Sequence, residues 1–163
     1  MKVSLLSLFL GAIVSVLAQS PALVNHASTA VIHNGKQKML VFGGRSATGL
    51  SNQTWLLTAN YPYEWQWESV SPSGSIPQPR SRHSLVSSPA GDVAVLFGGR
   101  GTDGVDLSDI YLWQNNMWQL VQAACTAGAF CARSGHAAVM FEGCLPSLGD
   151  TACTTRTNLI LPD

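Results

Sequence analysis

The sequence predicts an all-β protein whose chain repeats a four-stranded unit, the blade of a β-propeller. Phe-Gly-Gly-Arg occurs at residues 42–45 and again at 97–100, which gives a period of 55 residues. Short β-type segments alternate with turn residues such as Gly, Pro, Asn and Ser. After residue 18 the chain has no sustained apolar stripe of helical period. Four antiparallel strands in a unit of about 50 residues are typical of a propeller blade.

A histidine and a glycine pair mark the first two strands of each unit. The histidines His26, His83 and His136 lie at intervals of 57 and 53 residues, and each opens a first strand. The second strand is apolar throughout at residues 39–42 and 93–97, as expected of a strand buried between neighbouring blades. The glycine pair that follows lets the backbone bend or approach a neighbour closely.

An aromatic strand and a strand carrying tryptophan complete each unit. We match the third strands by aligning Thr54–Thr58 with Asp109–Trp113. We match the fourth strands by aligning Trp67 with Trp118. Because large aromatic side chains bury much area, this tryptophan is expected to fill the widening space between two blades.

This ordered set of residues resembles the kelch repeat over about residues 22–141. The resemblance implies kelch-type β-propeller blades. Leu23 departs from the pattern, because the later units have arginine there, and the third unit loses the pattern after Gly143. The residues that carry the resemblance are His26, Phe42, Gly43, Gly44, Trp55 and Trp67 in the first unit, Arg80, His83, Phe97, Gly98, Gly99, Tyr111 and Trp118 in the second, and Arg133 and His136 in the third.

The repeat divides the chain into three parts. Residues 1–18 are predicted to be a signal peptide, residues 19–143 the blades, and residues 144–163 an irregular tail that contains cysteine. Segment 158–161 of that tail is either a displaced second strand or a frayed end. The blades are predicted at about 22–78, 79–131 and, in part, 132–143.

Two complete blades and part of a third are fewer than the roughly four to eight that close a propeller. We therefore expect an open or incomplete propeller, most simply the N-terminal piece of a longer kelch protein. One alternative is a ring completed by self-association. The other is an array that caps a partner, since an open stack leaves a blade face and strand edges uncovered.

The N-terminal segment predicts export. Lys2 is followed by an apolar run at residues 5–14 and by small residues at Val16 and Ala18, which is the plan of a secretory signal peptide. The alternative is an N-terminal anchor helix, but the run is short for a membrane span and no second one follows. We therefore expect a secreted, extracellular protein without a membrane span once the signal is removed.

Export places the cysteines in an oxidising compartment, where disulfide bonds are expected. Three pairings are possible, and pairing of neighbours along the chain is the most natural because each bond then closes one loop. The Cys-x₂₋₄-Cys spacing of zinc sites is missing. Asn52-Gln53-Thr54 is a sequon for glycosylation of Asn52. The cysteines are Cys125, Cys131, Cys144 and Cys153.

The charge balance argues against two classes of partner. Nine basic and nine acidic residues cancel, and charged residues make up 11% of the chain. We therefore expect no nucleic-acid binding through a basic face and no polybasic membrane patch. The hydrophobic content of 46% also excludes a disordered polar chain.

The side chains that carry chemistry are expected to be structural. The repeated histidines should occupy equivalent places on different blades rather than form a metal triad. Asp103, Asp106 and Asp109 lack the spacing and distal glutamate of a calcium loop and are expected to form turns. We predict no cofactor and no metal. A possible ligand surface consists of Arg45, Arg100, Tyr61 and Tyr63.

The sequence thus predicts a secreted interaction module, without catalysis of its own, that binds a protein or a glycan through propeller loops. One alternative is part of a larger secreted propeller enzyme, such as a copper radical (galactose-oxidase-like) oxidase. That chemistry needs Tyr, Cys and His ligands from several blades, whereas cysteine is confined here to residues 125–153. The other alternative is a structural protein of the cell surface or matrix. The fold alone does not name the partner.

Overall fold

The computed structural model describes residues 20–60, 64–122, 132–143 and 156–160. All regular secondary structure in these residues is β-strand. Within the same ranges, no helix is long and apolar enough to cross a membrane. The strands are β1 (Ala27–His33), β2 (Lys36–Phe42), β3 (Arg45–Ser46), β4 (Gly49–Leu50), β5 (Thr54–Asn60), β6 (Glu64–Val70), β7 (Ser73–Gly74), β8 (Ser84–Ser87), β9 (Ala94–Phe97), β10 (Ile110–Gln114), β11 (Met117–Gln122), β12 (Val139–Gly143) and β13 (Arg156–Ile160).

Several predictions concern residues outside the described ranges. They are the signal peptide at residues 1–18, the ligand-surface residues Tyr61 and Tyr63, and the disulfide bonds. These remain predictions. The cysteines concerned are Cys125, Cys131, Cys144 and Cys153.

Blade 1 is an antiparallel sheet in the order β1-β2-β5-β6. Asn34 and Gly35 join its first two strands with φ values of 52° and 70°. Positive φ at both central residues is typical of two-residue hairpins, because the twist of that turn matches the twist of the strands. Phe42 ends β2 and lies opposite Ala27 on one side and Thr54 on the other. The loop that follows contains a small hairpin of β3 and β4.

Blade 2 repeats this plan with strands β8 to β11 and gains a fifth strand at its outer edge. Asn115 and Asn116 form its outer hairpin, again with positive φ, at 50° and 58°. The added strand is β7, which comes from the linker after blade 1 and pairs in parallel with the start of β11. The linker therefore covers an edge that would otherwise present unpaired backbone groups.

Backbone hydrogen bonds correct the predicted match between the third strands. The N–H of Gly43 donates to the carbonyl of Gln53 at 3.1 Å, and that of Gly98 donates to the carbonyl of Asp109 at 3.2 Å. Gln53, not Thr54, is therefore the counterpart of Asp109, and the predicted alignment is wrong by one residue. The loop after the glycine pair is one residue shorter in blade 1, which shifts the match.

Blade 3 begins with β12 and β13, which pair antiparallel with Val139 opposite Ile160. Residues 156–160 thus form a strand where an irregular tail was expected, and the arrangement is that of a displaced second strand. The predicted class is confirmed: the protein is all-β, with two four-stranded blades and part of a third.

The hydrophobic core lies between blades 1 and 2. Phe42 and Trp118 meet edge to face with ring centroids 5.0 Å apart. The indole of Trp118 is fully buried, and its Nε1 donates to Thr54 Oγ1 of blade 1 at 3.2 Å. Such aromatic pairs contribute about 0.5–1.5 kcal/mol beyond area burial. The buried core residues are Val31, Leu40, Phe42 and Leu56 in blade 1, and Leu85, Ala94, Leu96, Tyr111, Trp113 and Trp118 in blade 2.

Candidate functional site

The glycine pairs lie where successive blades meet. Gly43 and Gly44 have φ values of 64° and 94°, and Gly98 and Gly99 have φ values of 61° and 98°. Side chains rarely tolerate this left-handed region, whereas glycine adopts it without a steric cost. Both pairs therefore turn the chain sharply at the end of the second strand, and the next blade approaches at that turn.

The first glycine of each pair contacts the following blade. A Cβ on Gly43 would lie 2.8 Å from the carbonyl oxygen of Arg80 and 2.9 Å from the ring of His83. A Cβ on Gly98 would lie 2.7 Å from the carbonyl oxygen of Arg133 in blade 3. Since real Cβ atoms do not approach so closely, only glycine permits this packing of blade on blade.

The second glycine ties the two blades together through its backbone. The N–H of Gly44 donates to the carbonyl of Arg80 at 2.8 Å, and the N–H of Gly99 donates to the carbonyl of Arg133 at 2.9 Å. The arginine that opens one blade therefore accepts a hydrogen bond from the glycine pair of the blade before it. The same joint is built twice along the chain.

Arg80 holds the opening segment of blade 2 to its third strand. Its guanidinium is fully buried, and the two terminal nitrogens bind the carboxylate of Asp109 at 2.5 and 2.8 Å. It also donates to the carbonyls of Gln78 and Gly98 and lies 5.5 Å from the ring centroid of Tyr111. A bidentate, charge-assisted pair is a strong hydrogen-bonding arrangement, so this arginine lies in a structural site within its own blade.

The histidines pack in the joints between blades. His83 meets Phe42 of blade 1 edge-on at 5.6 Å, and His136 meets Phe97 of blade 2 at 5.1 Å. His136 also forms a hydrogen bond between Nε2 and Ser84 Oγ at 2.9 Å. His26 has no described blade before it and is exposed. His83 and His136 therefore each pack edge-on against the Phe-Gly-Gly segment of the preceding blade.

Burial favours the neutral form of both His83 and His136. Desolvation, then the nearby charge of Arg80, lowers the pKa of His83 to about 3, and a backbone contact with Phe42 offsets this only in part. The pKa of His136 is also lowered, by burial and then by Arg133. In the described part of the chain, no three His, Cys, Asp or Glu side chains are placed to hold a metal ion.

Three residues in the left-handed conformation form an arc that links the blades. Asn25, Arg82 and Gly135 each precede a repeat histidine and have φ values of 55°, 57° and 73°. The N–H of Arg82 donates to the carbonyl of Asn25 at 2.9 Å, and the N–H of Gly135 donates to the carbonyl of Arg82 at 2.8 Å. Together with the histidines they line a cavity of about 420 Å³, which we call the three-blade cavity.

The structure separates the three aspartates that the sequence places close together. Asp109 binds Arg80, as described above. Asp106 pairs with Arg100 at 2.9 Å, and hydrogen bonds from Arg100 and Ser134 hold the pKa of its carboxyl below the usual range. Asp103 accepts the backbone N–H of Val105 within a turn. These carboxylates therefore serve separate partners.

The predicted ligand-surface arginines and the glycosylation asparagine lie on the surface. Arg45 is exposed beside the first glycine pair, and Arg100 is about half exposed beside the second. Asn52 is exposed, while Thr54 of the same sequon is buried under Trp118. Trp67, the counterpart of Trp118, is half-buried.

Sequence reasoning missed two parts of the site. It did not pair Arg80 with Asp109, although the strand that Asp109 opens was identified. It also missed the left-handed residue before each histidine. Asparagine at 25 and glycine at 135 were the available signal, because these two residue types favour that conformation.

The fold and the joints define an array of kelch-type propeller blades. A family model described as the KLHDC2/KLHL20/DRC7 Kelch-repeats domain matches residues 14–159. The chain therefore belongs to the kelch-repeat family, which confirms the resemblance drawn from its motifs. The match begins within the predicted signal peptide, at residue 14 rather than after residue 18.

Similar proteins come from fungi and from cattle. The chain is 32% identical over 95 residues to tRNA wybutosine-synthesizing protein 4 of Aspergillus fumigatus, a match that covers 58% of this chain and 9% of that protein. It is 37% identical over 97 residues to Kelch domain-containing protein 2 of Bos taurus, covering 57% of this chain and 21% of that protein. The chain thus matches only a small part of each relative.

A solved structure shares the fold. It is a chain in "Cryo-EM structure of RAG in complex with one melted RSS and one unmelted RSS", with a TM-score of 0.55 and 23% sequence identity. The match covers 71% of this chain and 39% of that chain. At this identity the similarity concerns the arrangement of strands only.

Proposed function

We propose that this chain is a non-catalytic interaction module that binds a protein through the glycine-pair end of its blades. The observation that carries the proposal is the three-blade cavity, to which each blade contributes its repeat histidine and the residue before it. Because blade packing and the backbone arc fix these positions, the site is organised before a ligand arrives. Preorganisation reduces the entropy that binding costs.

The charges around the cavity indicate the class of ligand. Arg82 lines the cavity and Arg45 lies beside the first glycine pair. Both side chains are exposed, and neither forms an ion pair among the described residues. Guanidinium groups bind carboxylates through paired hydrogen bonds. These features support a protein ligand that presents acidic side chains, with an acidic glycan as the alternative.

Charge reversal at the cavity tests the proposal. The double variant Arg45→Glu, Arg82→Glu should bind at least tenfold more weakly than the wild type to a partner isolated with the intact chain. Lys36→Glu is the matched control, since Lys36 is an exposed cation at the opposite end of β2 from the glycine pair. Calorimetric titration with the purified partner gives the affinities.

Two results would overturn this assignment. Equal affinity of the wild type and the double variant would place the partner elsewhere on the surface. Equal loss in the double variant and in Lys36→Glu would indicate a nonspecific charge effect. The ligand would instead be a glycan if no protein partner is found, the wild type binds acidic glycans on an array, and the double variant does not.

We also propose that the protein is secreted, glycosylated at Asn52 and linked by disulfides among its four cysteines. The support is the N-terminal sequence pattern, the exposed sequon asparagine and the even number of cysteines. Intact mass spectrometry of the native polypeptide from the medium tests all three. We expect an N-terminus near Gln19, a mass shift on deglycosylation and another on reduction with alkylation. A polypeptide retained in the cell with Met1 intact would contradict the proposal.

A second candidate function is that of a kelch segment within a larger enzyme. Its support is the similarity to a relative named as a tRNA wybutosine-synthesizing protein, of which this chain matches 9%. In that case the blades would position another domain rather than react themselves. A native polypeptide much heavier than residues 19–163 after deglycosylation would favour this candidate, and a matching mass would exclude it.

A further inference from the structure

A second cavity lies between blades 1 and 2, at the end of the strands opposite the glycine pairs. Blade 1 contributes Ile32, His33 and Asn34 from the hairpin that joins β1 to β2. Blade 2 contributes Asn115 and Asn116 from the hairpin that joins β10 to β11. The volume is about 320 Å³. We call this space the hairpin cavity, and it belongs to a joint whose two blades already pack on each other.

Backbone hydrogen bonds fix both hairpins in place. The N–H of Ile32 donates to the carbonyl of Gly91 at 2.7 Å, which ties the hairpin of blade 1 to blade 2. The carbonyl of Asn116 accepts the N–H of Ser73 at 3.0 Å, which ties the hairpin of blade 2 to the linker between the blades. The hairpin cavity is therefore organised before a ligand arrives, and this reduces the entropy that binding costs.

The lining of the hairpin cavity is polar and uncharged. Three of its five described side chains are asparagine carboxamides, each of which both donates and accepts hydrogen bonds. Burial, then the nearby charge of Lys38, lowers the pKa of His33, and Glu68 opposes this. The neutral imidazole is favoured, and it also has one donor and one acceptor nitrogen. Ile32, which is 46% exposed, adds an apolar contact.

Two buried polar atoms at the hairpin cavity have no hydrogen-bond partner among the described residues. One is Oδ1 of Asn116, an acceptor on a side chain that lines the cavity. The other is Nε1 of Trp113, a donor on a ring that lies 5.6 Å from the ring of His33. An unpaired buried donor or acceptor costs free energy, and native proteins pair nearly all such groups. A hydroxyl group serves both needs, because it donates one hydrogen bond and accepts others.

We propose that the hairpin cavity binds a neutral mono- or disaccharide. Sugar hydroxyls pair with the carboxamides and the imidazole, and a face of C–H groups contacts Ile32. The volume lies at the lower end of the range of about 300–1,000 Å³ that small-molecule sites occupy. A charged ligand would find no opposite charge among the described residues that line the cavity. The site lies at the other end of the blades from the three-blade cavity and does not depend on the proposed function.

Nuclear magnetic resonance of the wild type tests the proposal. In saturation-transfer spectra, at least one of glucose, galactose, mannose and N-acetylglucosamine should bind at about 10 mM, a concentration that reveals millimolar affinities. N-acetylneuraminic acid, the charged member of the panel, should bind no more tightly. In the isotope-labelled protein, the bound sugar should shift the amide signals of Asn34, Gly35 and Asn115 and leave those of Asn25 and Gly135 in place.

A double substitution gives an independent test. Asn34→Gly, Asn115→Gly removes two carboxamides, and glycine keeps the left-handed conformation of these positions, where φ is 52° and 50°. The affinity for the sugar should fall about tenfold or more, because each lost hydrogen bond is worth a few-fold. Asn25→Gly is the matched change at the other end of the blades, where φ is 55°, and should leave the affinity for the sugar unchanged.

The assignment is overturned if no neutral sugar binds at about 10 mM, or if the charged sugar binds more tightly than the neutral ones. It is also overturned if the shifted amides surround the three-blade cavity, or if the double variant binds the sugar as well as the wild type does. An equal loss in Asn25→Gly would likewise place the sugar elsewhere. The charge-reversal variant Arg45→Glu, Arg82→Glu should keep its affinity for the sugar, so the two sites are tested separately.

Discussion

Blades 1 and 2 share their strand order and motif but hold their opening segments in different ways. In blade 2 the buried Arg80 bridges the opening segment to Asp109. In blade 1 the same two positions are occupied by Leu23 and Gln53, so the cation and the anion are missing together. Each arrangement leaves no unpaired buried charge, which is the condition that low-dielectric packing imposes.

The second difference between the blades comes from their neighbours. Trp118 and Trp67 occupy the same position in the same kind of strand, yet Trp118 is fully buried and Trp67 is half-buried. Trp118 has Phe42 and Thr54 of blade 1 against it. A motif residue thus acquires its energetic role from the next blade, as expected of a repeat protein whose stability depends on nearest-neighbour interfaces.

The largest expected effect separates the two tryptophans. Trp118→Ala should lower the free energy of unfolding by about 3–5 kcal/mol, because it removes a buried indole and leaves a cavity between the blades. Trp67→Ala should cost less than about 1.5 kcal/mol, because its side chain is only half-buried. Urea unfolding followed by circular dichroism gives both values.

Equal losses of unfolding free energy in Trp118→Ala and Trp67→Ala would contradict the comparison, since the position in the motif alone would then set what each tryptophan contributes to stability.

Thr54→Val is a useful addition to the same series. It removes the acceptor of the Trp118 indole and keeps the shape, so it should cost about 1–2 kcal/mol by leaving the buried N–H unpaired. An unchanged stability in Thr54→Val would show that the hydrogen bond makes no net contribution.

The next effect tests the exchange of an ion pair for a neutral pair. Arg80→Leu should destabilise the protein by about 3 kcal/mol, because Asp109 is left nearly buried without its partner. The double variant Arg80→Leu, Asp109→Gln recreates in blade 2 the residues of blade 1. It should recover at least about 1 kcal/mol of that loss, since no buried charge remains.

A double-mutant cycle with Asp109→Gln alone completes this measurement. If the loss of unfolding free energy in the double variant equals the sum of the losses in the two single variants, the two positions do not act as a pair. In that case the coincidence of leucine and glutamine in blade 1 would have no energetic basis.

The strand order was predictable from sequence because it depends on local features. Apolar runs, the turn residues and the glycine pairs recur in each unit, and all mark strand ends or buried strands. The match between the third strands was not predictable from sequence, because a loop shortened by one residue shifts the aromatic positions of the two blades against each other. The pairing of each third strand with its second strand, together with the hydrogen bonds of Gly43 and Gly98, fixes that register.

The candidate site was predictable only in its parts. The repeat histidines were identified, and so were the arginines beside the glycine pairs. That Asn25, Arg82 and Gly135 lie side by side depends on the curvature of the blade stack, which no local pattern encodes. The predicted ligand surface accordingly included Arg45 and Arg100 but not Arg82.

A further expected effect concerns pH and again separates the joints. His83 is 5% exposed, and its pKa falls from 6.5 to about 3 on folding, so the folded protein binds its proton less readily than the unfolded chain. The stability that depends on neutral His83 is fully present above pH 6.5 and is lost as the pH falls from 6.5 towards 3. Between pH 7 and pH 5 the loss should be about 2 kcal/mol.

The arginine and the two histidines that face His83 all act in the same direction. Arg80, His26 and His136 each lower its pKa, and His136 adds a smaller acid-sensitive contribution of its own. His83→Gln should therefore reduce the slope of unfolding free energy against pH without abolishing it. His26→Gln should change the slope less, because His26 occupies the same repeat position but is exposed and affects the pKa of His83 less than burial and Arg80 do. If the slope of His83→Gln equals that of the wild type, the acid sensitivity does not arise in the joint between blades 1 and 2.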